Sequence, residues 1–407
     1  MILWVLLAAV HPESMLLLTI LLALSPALEA ARGASATGNL DALVQLADAV
    51  PAEESVDAAR LLADAAARAK ARDKLLALQL AQMAVRRDPR CSRALELLTT
   101  WALAEKEFTQ AKRYAAAWIR AYPADANARR TSARVDLLEQ SWHPIRIHEV
   151  HPRTRSASAA AEPDAAAPDS ESAAAASAHF RILYTRGAKD WSDRGRYEVA
   201  ALDLLERAWF DARSQLGESP PGRFEVVLYT RDEFSQRYGA GAAGQILGFY
   251  SGKIRLNLSE ALNGRFQATA LHELVHAALD GLAGGHGDRL PMWLNEGLAR
   301  FVERKATTGA FLSPRQLRLV SAQGDRLPLA SMAHISFAHL GGGIELAYAK
   351  SAAAVAALVG GGEGMIALTR LTRAVGRGSS FDSAFSSQFG SARLGSLDQE
   401  AVKMARR

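Results

Sequence analysis

His272, Glu273 and His276, in the run His272-Glu273-Leu274-Val275-His276, have the residue types and spacing of a metal-dependent hydrolytic centre. On a helix, residues four apart differ in direction by about 40°, so the two histidines face the same way. Two imidazoles so placed can ligate one ion at about 2.0–2.1 Å. Glu273, beside the first, projects where it can reach a water on that ion. A Zn2+ lowers the pKa of such a water towards about 7, and a carboxylate can take its proton as it attacks a carbonyl. Two protein ligands do not complete a catalytic site. Glu296, in Pro291-Met292-Trp293-Leu294-Asn295-Glu296-Gly297, supplies a third if its helix turns towards the first. The set is then His2Glu with one position open for water. Taken singly, the histidines read as satisfied side chains on a buried helix, and Glu296 as an exposed helix carboxylate. Together they read as a ligand set.

The elements that would position these groups follow from pattern. A helix is expected over 268–279, ended by Asp280-Gly281, and a second is expected from Pro291 to about residue 304, after a glycine-rich break. Trp293 reads as core packing over that second helix. Upstream, 179–185 and 224–229 read as strands and 196–216 as a helix. Lys253-Ile254-Arg255-Leu256-Asn257-Leu258 alternates strictly, with Ile254, Leu256 and Leu258 on one face. The polar second face, Lys253, Arg255 and Asn257, suggests an edge strand. The order strand, helix, strand, strand, helix indicates an α+β domain.

Across 407 residues, 49% hydrophobic and 22% charged residues suit globular folding, with length enough for two domains. Basic and acidic residues nearly balance at +5 and the basic ones are scattered along the chain, which gives no warrant for nucleic acid as a partner. The single cysteine, Cys91, excludes an intrachain disulfide and a thiolate metal cluster, and reads as a small packed residue. Residues 1–30 hold two apolar runs; the second has the length of a signal-peptide core, with small residues at Ser25, Ala27 and Ala30 for cleavage. Export to the periplasm or cell envelope is the expectation, with an uncleaved membrane anchor as its rival. From 40 to 145 the pattern is helical. Ala77 and Ala111, Ala81 and Ala115, Pro89 and Pro123, and Ala94 and Ala128 are each 34 residues apart. Small residues let paired helices approach closely, and the prolines are expected to open the following helices. Residues 152–178 turn to Ala, Ser, Pro and acidic residues and read as a linker.

Two resemblances follow from these motifs. The 34-residue period of paired helices resembles the tetratricopeptide repeat. His272-Glu273-Leu274-Val275-His276 with Trp293-Leu294-Asn295-Glu296-Gly297-Leu298-Ala299 resembles the gluzincin zinc metallopeptidases, and 179–397 is most similar to the peptidase-MA-like domains of bacterial envelope proteins. The resemblance implies a zincin-like α+β metallopeptidase domain preceded by an all-α helical-repeat domain. It implies Zn2+ on His272, His276 and Glu296, with Glu273 as general base. It further implies that the strand around Ile254 and Leu256 binds an extended substrate by β-augmentation.

The chain also departs from the pattern. Four residues after the glutamate ligand, thermolysin-like enzymes carry an acid that orients a ligating histidine; here Arg300 stands there, leaving Asp280 or a backbone carbonyl to substitute. The amine-anchoring motif of the aminopeptidases is absent. Tyr348 is the downstream candidate for stabilising an oxyanion, with a core tyrosine as the equal alternative. His286, His334 and His339 read as surface or loop residues. The leading expectation is a zinc endopeptidase acting on proteins or peptides, its repeats presenting a substrate or partner protein. The alternative is a catalytically weak or inactive repeat scaffold of the cell envelope.

Overall fold

The computed structural model describes residues 25–70, 73–105, 107–141, 148–149, 172–185, 194–239, 246–257, 262–334, 337, 340, 343–360 and 364–406. Seven helices come first: α1 (Pro26–Thr37), α2 (Leu40–Ala49), α3 (Ser55–Ala69), α4 (Lys74–Arg87), α5 (Ser92–Ala104), α6 (Phe108–Ala121) and α7 (Ala126–Ser141). The pairs α4–α5 and α6–α7 repeat at an offset of 34 residues, and Ala77, Ala81, Ala94, Ala111, Ala115 and Ala128 are buried. The period therefore marks where neighbouring helices touch, with alanine keeping the axes close. Polar side chains open α4 and α2: Asp73 Oδ1 accepts from Leu76 N at 2.9 Å, and Asn39 Oδ1 from Ala42 N at 3.1 Å. Pro89 and Pro123 lie in turns three residues ahead of α5 and α7 and do not open them. Cys91 is buried in the helical core.

The helical region starts earlier than residue 40. Ser25 caps α1, is tied to Glu54, and sends Leu28 and Ala31 fully into the helical core. Of the cleavage positions, Ser25 therefore caps a packed helix and Ala27 and Ala30 lie within it; residues 1–24 of the apolar segment are outside the described residues. Among the described residues no single helix is long and apolar enough to cross a membrane.

An α+β region follows. A six-stranded mixed sheet has the order β1 (His148–Glu149), β2 (Ser172–Ala176), β3 (Phe180–Thr185), β4 (Phe224–Tyr229), β6 (Lys253–Asn257), β5 (Gly248–Ser251). Helix α8 (Arg194–Leu216) joins β3 to β4, and α9 (Arg231–Tyr238) follows β4 behind a capping box from Thr230 and Glu233. After the sheet come α10 (Gly264–Leu282), α11 (Met292–Thr308), α12 (Pro314–Gln323), α13 (Ile344–Val359), α14 (Gly364–Gly376), α15 (Phe381–Phe389) and α16 (Ser391–Ala405). Phe180, Ile182, Val226, Leu228, Ile254 and Leu256 share one buried core with α8, α10, α11, α13 and α16. That core reaches Ala401, Val402 and Ala405, so the region continues past residue 397.

Three expectations need correction. Within the expected linker, Ser172–Ala176 is a strand paired antiparallel with β3; sheet pairing uses backbone groups, which a composition read for large side chains overlooks. The strand carrying Ile254 and Leu256 is not an edge. It is paired parallel to β4 and antiparallel to β5, and β5 is the terminal strand; Leu258 lies outside the described residues. Its polar face is covered by the helical region. Arg255 is 1% exposed, pairs with Glu107, and lies 3.5 Å from Glu105; its guanidinium sits between the rings of Trp101 and Phe249, 5.4 Å from each. A buried ion pair meets Arg255 where water was expected, while Lys253 pairs with Glu225 and Asn257 donates to the Ile246 carbonyl. Ile254 and Leu256, buried and flanked by strands on both sides, have no free edge for a substrate.

Candidate metal centre

Helix α10 begins at the cap Asn263, whose Oδ1 accepts from Arg265 N and Phe266 N, and buries Phe266, Ala270, Leu271, Leu274, Val275 and Ala278 in the core. That apolar face fixes its rotation and leaves His272, Glu273, His276 and Asp280 along one cleft. Asp280-Gly281 does not end the helix, which runs to Leu282. A Cβ on Gly281 would meet Pro221 Cγ at 2.6 Å, so this glycine serves close packing of α10.

Helix α11 crosses α10 and lies against α13. Gly297 makes the second contact: a Cβ there would sit 2.6 Å from the Ser351 carbonyl oxygen on α13. Trp293 is buried against Phe381. Glu296, one residue before this close approach, is thereby aimed at α10.

His272 Nε2 stands 3.3 Å and His276 Nε2 3.5 Å from Glu296 Oε2, and the three ligand atoms all lie within 4.8 Å of one another. Ligands held tetrahedrally at about 2.0–2.1 Å from an ion are about 3.3–3.4 Å apart, so the set has the span of one small cation. Glu296 Oε2 is buried and accepts no hydrogen bond, a costly condition that a cation would relieve. The opposite nitrogens are held from behind: His272 Nδ1 is 3.1 Å from Glu303 Oε2, and His276 Nδ1 is 2.8 Å from Asn295 Oδ1. Both acceptors require a proton on Nδ1, which leaves each Nε2 as the ligand atom. Arg300 does not touch a histidine; it grips Glu303 at 2.8 and 2.9 Å.

Electrostatics follow from burial and these partners. Burial alone would raise the Glu296 carboxyl, but His276 and His272 outweigh it and hold it well below the usual carboxylate range. Burial opposes charge on His272, yet Glu296 and Glu303 lift it to about 10. Glu273 goes upward: burial raises it against the pull of both histidines. Tyr348, on α13, lines the same cleft, its ring 6.5 Å from that of His272. The Glu296 carboxylate, with burial, pushes its phenol well above the ordinary value, so it stays a proton donor.

His272, Glu273, His276, Glu296 and Tyr348 thus meet in one cleft; Ile254 and Leu256 do not join it. Asp280 is committed elsewhere, accepting from Tyr250 Oη at 2.8 Å and Gly287 N at 2.9 Å. Glu303 and Asn295 were missed in the sequence. Glu303 is seven residues after Glu296, hence on the same helix face two turns on, and that spacing could have revealed it. His286 and His334 line a neighbouring chamber, and His339 is outside the described residues. Across the cleft, α4 contributes Leu75, Leu78, Gln79, Gln82 and Arg86, roofing a cavity of about 270 Å³. No family model, no curated protein and no solved structure matches the chain.

Proposed function

We infer that the protein is a zinc-dependent endopeptidase of gluzincin type, with His272, His276 and Glu296 holding the metal. The reading is carried by one observation: two Nε2 atoms converge on a buried Glu296 oxygen that lacks a hydrogen bond, at separations suited to one ion. An all-nitrogen-and-oxygen set of this kind suits zinc, and Glu303 and Asn295 hold the two rings by Nδ1 with Nε2 turned towards Glu296. When bound, zinc lowers the pKa of a water ligand towards about 7 and polarises a carbonyl oxygen.

The chain's own groups do the rest. Glu273, buried beside His272, takes the proton from the attacking water and returns it to the departing amine. Tyr348, protonated, donates to the carbonyl oxygen as negative charge develops there. Helix α4 lies over this cleft.

The test is metal analysis of purified protein paired with a peptide-library cleavage assay. Glu273→Gln should retain zinc and lose hydrolysis by about 10³-fold, within the range for a general base. Equal cleavage by wild type and variant would refute the mechanism. One observation favours a repeat scaffold of low activity as the second reading: α4 lies across the cleft. Stoichiometric peptide binding with no cleavage across the library would support that alternative.

A further inference from the structure

Beside the metal cleft lies a larger chamber of about 720 Å³, walled by the helical region on one side and by residues 286–290 on the other. It shares Arg86, Arg113 and Asp288 with the metal cleft, so the two adjoin. Its lining is strongly one-sided in charge. Arg86, Arg90, Arg113, Arg120 and Arg289 face one acidic residue, Asp288. These arginines are spread over two hundred residues of sequence, and the fold gathers them. The local excess nearly equals the +5 of the whole chain.

The arginines divide by role. Arg113 is fixed by the Tyr114 hydroxyl at 2.9 Å and lies 3.7 Å from Asp288 and 3.9 Å from Asp280. Arg86 donates to the His334 carbonyl at 3.2 Å. Among the described residues, Arg90, Arg120 and Arg289 are exposed and have no carboxylate partner. The positive field registers on the histidines in the wall. Burial, with Arg86 and Arg87, lowers His334 to about 4, and burial, with Arg289 and Arg113, lowers His286.

A cleft lined by one sign of charge concentrates ligands of the other sign. We propose that this chamber is a subsite for carboxylate side chains of the substrate, so that the protein selects acidic polypeptide segments to one side of the bond it cleaves. Adjacency to the metal cleft favours a peptide occupant, because one extended chain is long enough to reach from one to the other. The assignment of cleavage rests on the peptidase reading; the binding preference does not.

The experiment measures binding apart from turnover. A fluorescein-labelled glutamate-rich peptide and its glutamine counterpart are titrated by anisotropy into the full-length Glu273→Gln protein. The glutamate peptide should bind about tenfold tighter at low salt, and the difference should shrink at high salt. In Arg90→Glu/Arg120→Glu, and in the milder Arg90→Gln/Arg120→Gln, the ratio should fall to about one. Equal binding of the two peptides, or an unchanged ratio in both double variants, overturns the subsite. A preference in binding, with no cleavage of either peptide by wild type, supports the subsite while removing the peptidase reading. A single-stranded oligonucleotide that binds more tightly, through the same arginines, overturns the assignment to acidic peptides.

Discussion

The two histidines differ in what stands behind them, and single substitutions should reveal it. His272 leans on a carboxylate that Arg300 grips, whereas His276 leans on the neutral amide of Asn295. Acceptors behind a ligating histidine commonly carry a 10–100-fold share of metal affinity. Glu303→Ala is therefore expected to weaken zinc binding by about 100-fold and Asn295→Ala by about 10-fold. Competition against a chromogenic chelator measures both. Tyr348→Phe tests a different role. It should leave zinc affinity unchanged and lower kcat by about 10²-fold, as loss of one oxyanion donor does. If its zinc affinity falls as well, Tyr348 serves packing against Phe337 and Arg300 more than chemistry.

The same centre depends on how closely α11 approaches α13. Gly297→Ala places a methyl group 2.6 Å from the Ser351 carbonyl oxygen, and backbone on both sides leaves nothing flexible to yield. The expected cost is about 2–3 kcal/mol of stability, as for overpacking. Because Glu296 is adjacent, zinc affinity should fall with it. Chemical denaturation run with and without zinc would separate the two effects. Much at this scale was legible in the sequence: β4 spans the expected residues, and α8 and α10 lie where pattern placed them, with longer ends for α10. What was not legible depended on partners distant in sequence. The polar face of β6 looked solvated because nothing local announces that Glu105 and Glu107, almost 150 residues earlier, cover it. Likewise, Gly281 read as a stop, whereas it lies inside α10 at a close approach to Pro221. Ligand types and spacing could be read locally. The groups orienting them had to be seen in place, although the seven-residue step to Glu303 lay open to inspection.

Across the whole molecule, the two regions are joined by charge as well as by apolar contact. Glu107, 5% exposed, faces Arg255, while Glu105 also receives Arg237 at 2.7 Å. Removing one member of a buried pair strands the other and typically costs 3–5 kcal/mol. Glu107→Ala is accordingly expected to cost about 3 kcal/mol, lost chiefly as docking of α6 against the sheet. Limited proteolysis should then cut more rapidly between the regions, and small-angle scattering should report a larger radius. Unaltered proteolysis and radius would mean that apolar contacts hold the joint alone.

The same joint makes the α+β region a poor piece to isolate. Trimmed of α1 to α7, it would carry Arg255 beside Arg181 and Lys253 on an open sheet face, where Glu225 pairs with Arg181 and Lys253 but Arg255 has lost its carboxylates. Arg255 would lose both glutamates and the Trp101 ring. Such a fragment should cling to cation-exchange resin and carry nucleic acid through purification, and its behaviour would misreport the intact chain. The repeats are in this sense an internal counterion, shipped on the same polypeptide as the charge they neutralise.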